Sequence, residues 1–214
     1  MTTITDLADD LSVDAVEQQL FCKIAQDLVN TGVSVNTAAL PLMLTATLVH
    51  QLSLFSPAYF IQAGVGRANK KVIEDSIRAN HICWIDNQTQ ACTDWNTWIK
   101  KLQSHLNRKL FLGLNDFESH FSHYQPGGFY KRHYDAFQGN NARIVSIVVY
   151  FNSWWLESDG GALVLYQNDQ DILGLKIMPA MSNVVLFMSQ DFPHEVLPSS
   201  RDRYAIAGWF KRMP

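Results

Sequence analysis

The chain has 214 residues, of which 47% are hydrophobic and 17% are charged. This composition is typical of a globular protein that buries a core, and it argues against intrinsic disorder. The 17 basic and 20 acidic residues give a net charge of −3, so no basic excess favours a nucleic-acid partner. The longest apolar stretch, Leu40 to Phe55, is interrupted by polar residues, and we therefore expect no membrane-spanning helix.

The cysteines and the first residues of the chain bear on the compartment. Cys22, Cys83 and Cys92 are odd in number and lack metal-ligand spacing, so we expect reduced, mostly structural thiols. Four aspartates precede the first basic residue, Lys23, whereas a secretory signal begins with basic residues. These features predict a cytoplasmic protein.

Helical periodicity dominates the first half of the chain. Apolar residues recur at helical spacing over 16–28, and Gly32 favours a helix end just beyond them. A short strand is expected at 33–35. We then expect Pro41 to be the first residue of a second helix that runs to about residue 55.

A third helix has the clearest pattern, an apolar stripe for which Thr93 or Asp94 is the expected cap. The stripe consists of Trp95, Trp98, Ile99, Leu102, Leu106 and Leu110. Between the second and third helices we predict two short strands, at 59–62 and 81–85. The segment that joins them, 63–75, contains glycines and basic residues, and we expect it to be a mobile loop.

After residue 115 the apolar period changes from 3.6 to 2, which indicates strands. The strand-like runs cover residues 119–124, 129–133, 143–151, 162–166, 173–177, 184–188 and 203–210. Many short strands separated by turn residues predict a sandwich or barrel. We therefore predict an α+β fold whose core, 116–214, is a double-stranded β-helix (jelly-roll). Residues 1–115 would add a helical layer with two or three strands to one sheet of the same domain.

His133 and Asp135 are the first candidate ligands. On an extended strand, residues two apart point to the same face, but a surface pair at a strand end would show the same pattern. His194 adds a second imidazole. Two histidines and one carboxylate form the facial triad of non-haem Fe(II) oxygenases, which leaves three coordination positions open. A turn histidine that caps a strand is the alternative for His194.

Arg203 opens the last predicted strand, nine residues after His194. Alternation places four side chains on one face of that strand: Arg203, Ala205, Ala207 and Trp209. If this face lines the interior, the buried guanidinium requires an anion, and a dicarboxylate cosubstrate would supply one. A solvated arginine that faces the other way is the alternative.

Together these residues lie in a pattern that resembles the 2-oxoglutarate- and Fe(II)-dependent dioxygenases, and more closely the prolyl 4-hydroxylase branch with its hypoxia-factor prolyl hydroxylase relatives. The matching pieces are Arg78-x-x-x-Ile82-x-Trp84, Tyr124-x-Pro126-Gly127, Tyr130-x-x-His133-x-Asp135, Arg143, Tyr150-Phe151-Asn152, Gly160-Gly161-x-Leu163, Pro193-His194-Glu195-Val196 and Arg203-Tyr204-Ala205-Ile206-x-x-Trp209. Their common order and register make the set more specific than any one piece. One position departs from the pattern: Ala207 stands where relatives often carry a small hydroxyl residue that faces the cosubstrate.

The resemblance implies one set of residues for iron and a second set for the cosubstrate. The iron ligands would be His133, Asp135 and His194. The residues for 2-oxoglutarate would be Arg203 and Tyr150 at its distal carboxylate, with Tyr124 close to the cosubstrate and metal. The implied reaction is the O₂-dependent hydroxylation of a peptidyl proline with release of succinate and CO₂, supported by ascorbate.

The implied partner is a protein or peptide that contains proline, over which the segment 63–75 would close. Two alternatives stay open: an oxygenase of a small molecule or of a residue other than proline, and a noncatalytic jelly-roll binding module. Neither a nucleic-acid partner nor a membrane partner is expected, and the pattern gives no oligomeric state.

Overall fold

Three α-helices and eleven β-strands build the part of the chain that the computed structural model describes, residues 4–56, 59–63, 76–136 and 142–214, with side chains from residue 14 onward. The helices are α1 (Ile4–Thr31), α2 (Leu42–Leu54) and α3 (Gln90–Leu110). The strands are β1 (Val33–Asn36), β2 (Ile61–Gln62), β3 (His81–Trp84), β4 (Asp116–Tyr124), β5 (Tyr130–His133), β6 (Arg143–Tyr150), β7 (Leu163–Leu165), β8 (Leu175–Ile177), β9 (Val184–Met188), β10 (His194–Val196) and β11 (Arg203–Lys211). Most of the expected loop, residues 64–75, lies outside the described part. Within that part, no helix combines the length and apolar character needed to cross a membrane.

α1 ends at the predicted glycine. Gly32 has φ +74°, a left-handed conformation that glycine adopts without strain, and its N–H bonds to the Leu28 carbonyl at 3.1 Å. A Cβ at this position would lie 2.7 Å from Cε2 of Phe192. Both the backbone conformation and the close approach therefore require glycine, and the chain turns here from α1 into β1.

The starts of α2 and α3 differ from the predicted ones. Pro41 adopts ψ 135° and is the N-cap of α2, so it is not the first helical residue. The prediction of Thr93 or Asp94 as the cap of α3 is wrong, because Thr89 is the N-cap and accepts a hydrogen bond from the Cys92 N–H at 3.3 Å. The apolar stripe extends one turn upstream through the buried Cys92 side chain. Burial of this additional turn stabilises the longer helix.

The strands form two antiparallel sheets. The larger sheet has the order β1-β9-β6-β11-β4-β3-β2, and the smaller has the order β5-β10-β7-β8. Strands from both sides of residue 115 pair in the larger sheet, β1 with β9 and β3 with β4. The helices pack on the outer face of the larger sheet, and its inner face packs on the smaller sheet. This arrangement confirms the predicted jelly-roll core with helices on one sheet.

Alternation on the larger sheet divides its side chains between two cores. On β6, Val145 and Ile147 pack under the helices, whereas Tyr150 packs toward the smaller sheet. On β11, Ile206 joins the helical side and Ala205 joins the space between the sheets. The inward-facing residues of β4, β6 and β11 therefore share an interior with the smaller sheet.

β10 is the strand that the sequence pattern does not predict. It has only three residues and follows Pro193, so no alternation is visible in the sequence. In the structure it lies between β5 and β7, and His194 pairs with His133 across the first of these contacts. This pairing brings residues 61 positions apart to the same point of the smaller sheet.

Candidate metal centre and the adjoining pocket

His133 and His194 are neighbours because β5 pairs with β10. Asp135, the third candidate ligand, follows the end of β5. Asp135 lies in the bend after His133, so the expectation that both stand on one extended strand is wrong. Its Oδ1 atom nevertheless lies 3.8 Å from His133 Nε2, and its Oδ2 atom lies 3.5 Å from His194 Nε2. One ligand atom from each residue lies within 4.8 Å of the other two. The structure thus brings the three residues into one cluster.

Backbone carbonyls set the tautomer of both imidazoles. His133 Nδ1 lies 2.8 Å from the Lys131 carbonyl oxygen, and His194 Nδ1 lies 3.0 Å from the Phe192 carbonyl oxygen. Because a carbonyl only accepts, each Nδ1 carries a proton, and the Nε2 atom of a neutral ring keeps its lone pair. Both Nε2 atoms face Asp135 and are oriented to bind a cation.

Electrostatics favour the ionisation states that a metal requires. Burial, reinforced by the neighbouring His194, lowers the pKa of His133, so its ring is neutral. Burial alone would raise the pKa of Asp135, but the two histidines and a hydrogen bond from Ser146 outweigh it and hold that pKa below its ordinary value. A carboxylate beside two imidazoles is the donor set of a facial-triad iron site, and this cluster fits it.

Stacking holds the first of these imidazoles. The Tyr130 ring lies parallel to His133, with ring centroids 3.6 Å apart and planes inclined by 18°. The Arg78 guanidinium packs against the same Tyr130 ring, with its Cζ atom 4.6 Å from the ring centroid. Arg78 is in turn held by a hydrogen bond from its Nε to Asn80 Oδ1 at 2.6 Å. The His133 ring is therefore fixed by packing as well as by its carbonyl partner.

A cavity of about 160 Å³ adjoins the cluster between the two sheets. Its wall includes all three candidate ligands and the predicted inward face of β11. The other residues of the wall come from β3 to β7 and β10, together with Arg78 and Tyr134. The β11 residues that line the cavity are Arg203, Ala205, Ala207, Gly208 and Trp209. The wall is thus polar at the His-Asp-His cluster and at Arg203, carries further positive charge at Arg78 and Arg143, and is largely apolar or aromatic elsewhere.

Arg203 is 2% exposed, and no carboxylate in the described residues forms an ion pair with it. Its Nε donates to the Gly161 carbonyl at 2.8 Å. Its Cζ lies 5.0 Å from the Tyr124 ring centroid and 5.1 Å from that of Tyr150. A buried guanidinium without an anion is costly, so the site fits a negatively charged ligand.

Tyr150 lies beside Arg203 and is fully buried, but it is not one of the residues that line the cavity. Its hydroxyl makes no hydrogen bond within the described residues. Burial raises the pKa of Tyr150 to about 12, against the opposing charge of Arg203, so the hydroxyl keeps its proton. Burial also raises the pKa of Tyr124, which is part of the cavity wall. A buried donor without a partner next to an unpaired guanidinium fits a carboxylate ligand.

Sequence reasoning missed two polar residues behind the cluster. Ser146 on β6 donates a hydrogen bond to Asp135 Oδ2 at 2.7 Å, and Ser189 lies 2.9 Å from Ser146 through their Oγ atoms. Period-2 alternation from Tyr150 through Val148 indicates the inward face of Ser146. Ser189 lies beyond the end of β9 and has no comparable signal.

Comparison with known proteins gives a family match over the same part of the chain. The model of the 2OG-Fe(II) oxygenase superfamily matches residues 119–211. A curated relative, the hypoxia-inducible factor prolyl hydroxylase of Caenorhabditis elegans, is 27% identical over 172 residues. The match covers 76% of this chain and 23% of that relative, so the chain spans about a quarter of the relative's length.

Solved structures share the whole arrangement. A Pseudomonas putida prolyl-4-hydroxylase is 34% identical with a TM-score of 0.79, and the match covers 91% of this chain and 100% of that one. A Trichoplax adhaerens prolyl hydroxylase, solved in complex with a peptide fragment of the hypoxia inducible factor oxygen degradation domain, is 25% identical with a TM-score of 0.80. That match covers 94% of this chain and 93% of the other. The expected resemblance is confirmed: this chain belongs to the Fe(II)- and 2-oxoglutarate-dependent oxygenases, in their prolyl hydroxylase branch.

Proposed function

We propose that this protein is a hydroxylase of peptidyl proline that uses Fe(II), 2-oxoglutarate and O₂ and releases succinate and CO₂. The observation that carries the proposal is one cavity whose wall contains both a His-Asp-His cluster and a buried arginine without a carboxylate partner in the described residues. The relatives described as prolyl hydroxylases support the same reaction.

The metal end of the cavity would be held by His133, Asp135 and His194. Both histidines offer Nε2, because their Nδ1 protons are engaged by backbone carbonyls. Asp135 supplies the negative protein charge of the set. Bound Fe(II) would supply the O₂ and one-electron chemistry, for which protein side chains have no equivalent.

The cosubstrate end would be held by Arg203, Tyr150 and Tyr124. Arg203 would pair with the distal carboxylate of 2-oxoglutarate through its planar fork of donors. The Tyr150 hydroxyl, protonated and without a partner in the described residues, would donate to the same carboxylate. The Tyr124 and Tyr150 rings near the guanidinium exclude water and strengthen this pairing.

The substrate would be a proline within a protein or peptide. The Trichoplax relative was solved with a peptide fragment, and this supports a peptide over a free metabolite. Aromatic side chains at the cavity wall, Trp84, Tyr130 and Trp209, suit the apolar ring of proline.

The proposal extends to the compartment and to a supporting reductant. Cys22, Cys83 and Cys92 are free thiols, which suits the reducing cytoplasm. Ascorbate would support turnover by returning to the ferrous state any iron that becomes oxidised outside the coupled reaction.

The decisive experiment supplies Fe(II), 2-oxoglutarate and O₂ to the protein together with a panel of proline-containing peptides. Succinate should form in proportion to peptide, and the peptide mass should rise by about 16 Da, one oxygen atom. Fragmentation should place the oxygen on proline. His194→Ala is the matched control, and it should give neither product.

Oxidation of free amino acids or metabolites alone would contradict a peptide substrate. Oxygen found reproducibly on a residue other than proline would contradict prolyl specificity while leaving the cosubstrate chemistry in place.

A further inference from the structure

Two buried serines lie in line behind the carboxylate of Asp135. Ser146 Oγ donates to Asp135 Oδ2 at 2.7 Å, and Ser189 Oγ lies 2.9 Å from Ser146 Oγ. Ser146 is 1% exposed and Ser189 is completely buried. The pairing of β6 with β9 brings them together, and the Ser189 N–H continues that pairing by bonding to the Ile144 carbonyl at 3.0 Å.

The direction of these hydrogen bonds follows from counting protons. Each serine hydroxyl has one proton, and an ionised carboxylate only accepts. The Ser146 proton is committed to Asp135, so Ser146 must accept at its other contact and Ser189 must donate. The chain therefore runs Ser189 to Ser146 to Asp135, and each bond polarises the next.

We infer that Ser146 and Ser189 are positioning residues that set the rotation of the Asp135 carboxylate. The terminal torsion of an aspartate is broad, so the side chain alone does not fix Oδ1 toward His133 and Oδ2 toward His194 as the structure has them. The bond from Ser146 engages Oδ2 and leaves Oδ1 without a serine partner. A carboxylate held in one orientation would be ready to bind a metal beside the two imidazoles without first rotating. This inference rests on the proposed metal site.

A second serine chain elsewhere in the molecule provides a matched control. Asn36 Nδ2 donates to Ser34 Oγ at 2.9 Å, and Ser34 Oγ donates to Asp27 Oδ2 at 2.7 Å. Ser34 is 1% exposed, as Ser146 is, but it lies on β1 and is not part of the cavity wall. Ser34→Ala therefore removes the same type of bond without touching the proposed ligand.

The experiment titrates Co(II) into metal-free wild type, Ser146→Ala, Ser189→Ala, Ser146→Thr and Ser34→Ala under anaerobic conditions. Affinity, the visible absorption of bound Co(II) and the thermal unfolding of each metal-free protein are measured. Ser146→Ala should bind Co(II) about 10–100-fold more weakly, as is typical when a partner of a metal ligand is lost. It should also change the Co(II) spectrum. Ser189→Ala should fall between it and wild type, and Ser146→Thr, which keeps a hydroxyl, should restore both readouts.

The outcomes separate this inference from the proposed function. Unchanged affinity and spectrum in Ser146→Ala, beside a wild type that binds one Co(II), would overturn the positioning role alone. Equal losses in Ser34→Ala would overturn it too, since they would trace to general destabilisation. A wild type that binds no Co(II) would overturn the metal site and the inference with it.

Discussion

The Nε atom of Arg203 donates to the backbone carbonyl of Gly161 at 2.8 Å, although 42 residues separate the two in the chain. This bond uses one edge of the guanidinium and fixes its plane between β11 and the turn before β7. This bond does not use the terminal nitrogens of the guanidinium, which are the donors that a carboxylate binds in a bidentate pair. Arg203 is thus oriented before a ligand arrives, which lowers the cost of binding.

We predict that Arg203→Ala raises the KM for 2-oxoglutarate by at least about tenfold. Truncating one partner of a desolvated charge pair costs about 2–5 kcal/mol, and about 1.4 kcal/mol corresponds to one decade. Arg203→Lys should be intermediate because a point charge replaces the planar fork. Tyr150→Phe should show a smaller increase, since only one hydrogen bond is lost. Steady-state succinate release measures all three.

Arg201 is the matched control for this series. It lies on the surface, where it bonds to Asp159 at 3.2 Å and to the carbonyls of Ser153 and Trp154. Arg201→Ala should leave the KM unchanged. If it raised the KM while Arg203→Ala did not, the assignment of the cosubstrate arginine would be wrong.

Gly161→Ala should also weaken 2-oxoglutarate binding, because the added methyl group would displace the neighbouring Arg203. Gly161 has φ +69°, and a Cβ there would lie 3.2 Å from Arg203 Cδ and 3.0 Å from Ser199 Cβ. We expect a loss of about 1–3 kcal/mol in the free energy of unfolding from the backbone strain. We also expect a raised KM for 2-oxoglutarate, because the contact displaces Arg203.

Gly127→Ala separates these two effects. Gly127 has φ +81°, but nothing lies within 4 Å of the position of its Cβ. It should lose stability to a similar degree and keep the wild-type KM. Equal KM values for the two variants would argue against displacement of Arg203.

Removing a proposed iron ligand should abolish tight metal binding. His194→Ala should weaken Mn(II) binding by more than the about 10–100-fold typical of losing an outer partner. Asp135→Asn keeps the side-chain shape but removes the charge, so it should also bind weakly. Anaerobic titration of wild type should give one Mn(II) per chain, and full affinity in His194→Ala would refute its role as ligand.

The periodicity of apolar residues in the sequence is enough to predict which face of a long strand or helix is buried. β11 has nine residues, so alternation correctly assigns Arg203 and Trp209 to one face and Ile206 to the other. The same holds for the apolar stripe of α3, which forms one buried face. The fold class follows from such elements because each must bury its apolar side.

Features that depend on contacts between distant residues are not visible in the pattern. β10 has three residues and exists because β5 and β7 flank it. The bend at Asp135 and the contact between Ser146 and Ser189, 43 residues apart, arise only when the sheets assemble. Cap preference alone fits Thr93 or Asp94 as well as Thr89, the observed N-cap of α3. The helix begins at the earlier position because its first turn buries Cys92 against the core.

The stability of the protein should fall as the pH decreases from about 7 to 5, in part through His105. Burial, with Arg108 and Lys109 nearby, lowers the pKa of His105 below its ordinary value of 6.5. The Gln18 amide nitrogen lies 3.2 Å from His105 Nδ1 and donates to it, so Nε2 carries the proton of the neutral ring. That Nε2 is buried and has no hydrogen-bond partner in the described residues.

Because the folded pKa of His105 lies below the unfolded one, the unfolded state binds more protons as the pH drops through 6.5, and unfolding becomes easier. His105→Leu and His105→Gln should both reduce this slope. The slope should not vanish, since burial lowers the pKa of His120 to about 3 and acts with the same sign. His105→Leu should also gain about 1 kcal/mol at pH 7, because an unsatisfied buried N–H is removed. Urea unfolding at pH 7 and pH 5 measures both effects, and a slope equal to that of wild type in both variants would exclude His105 as a contributor.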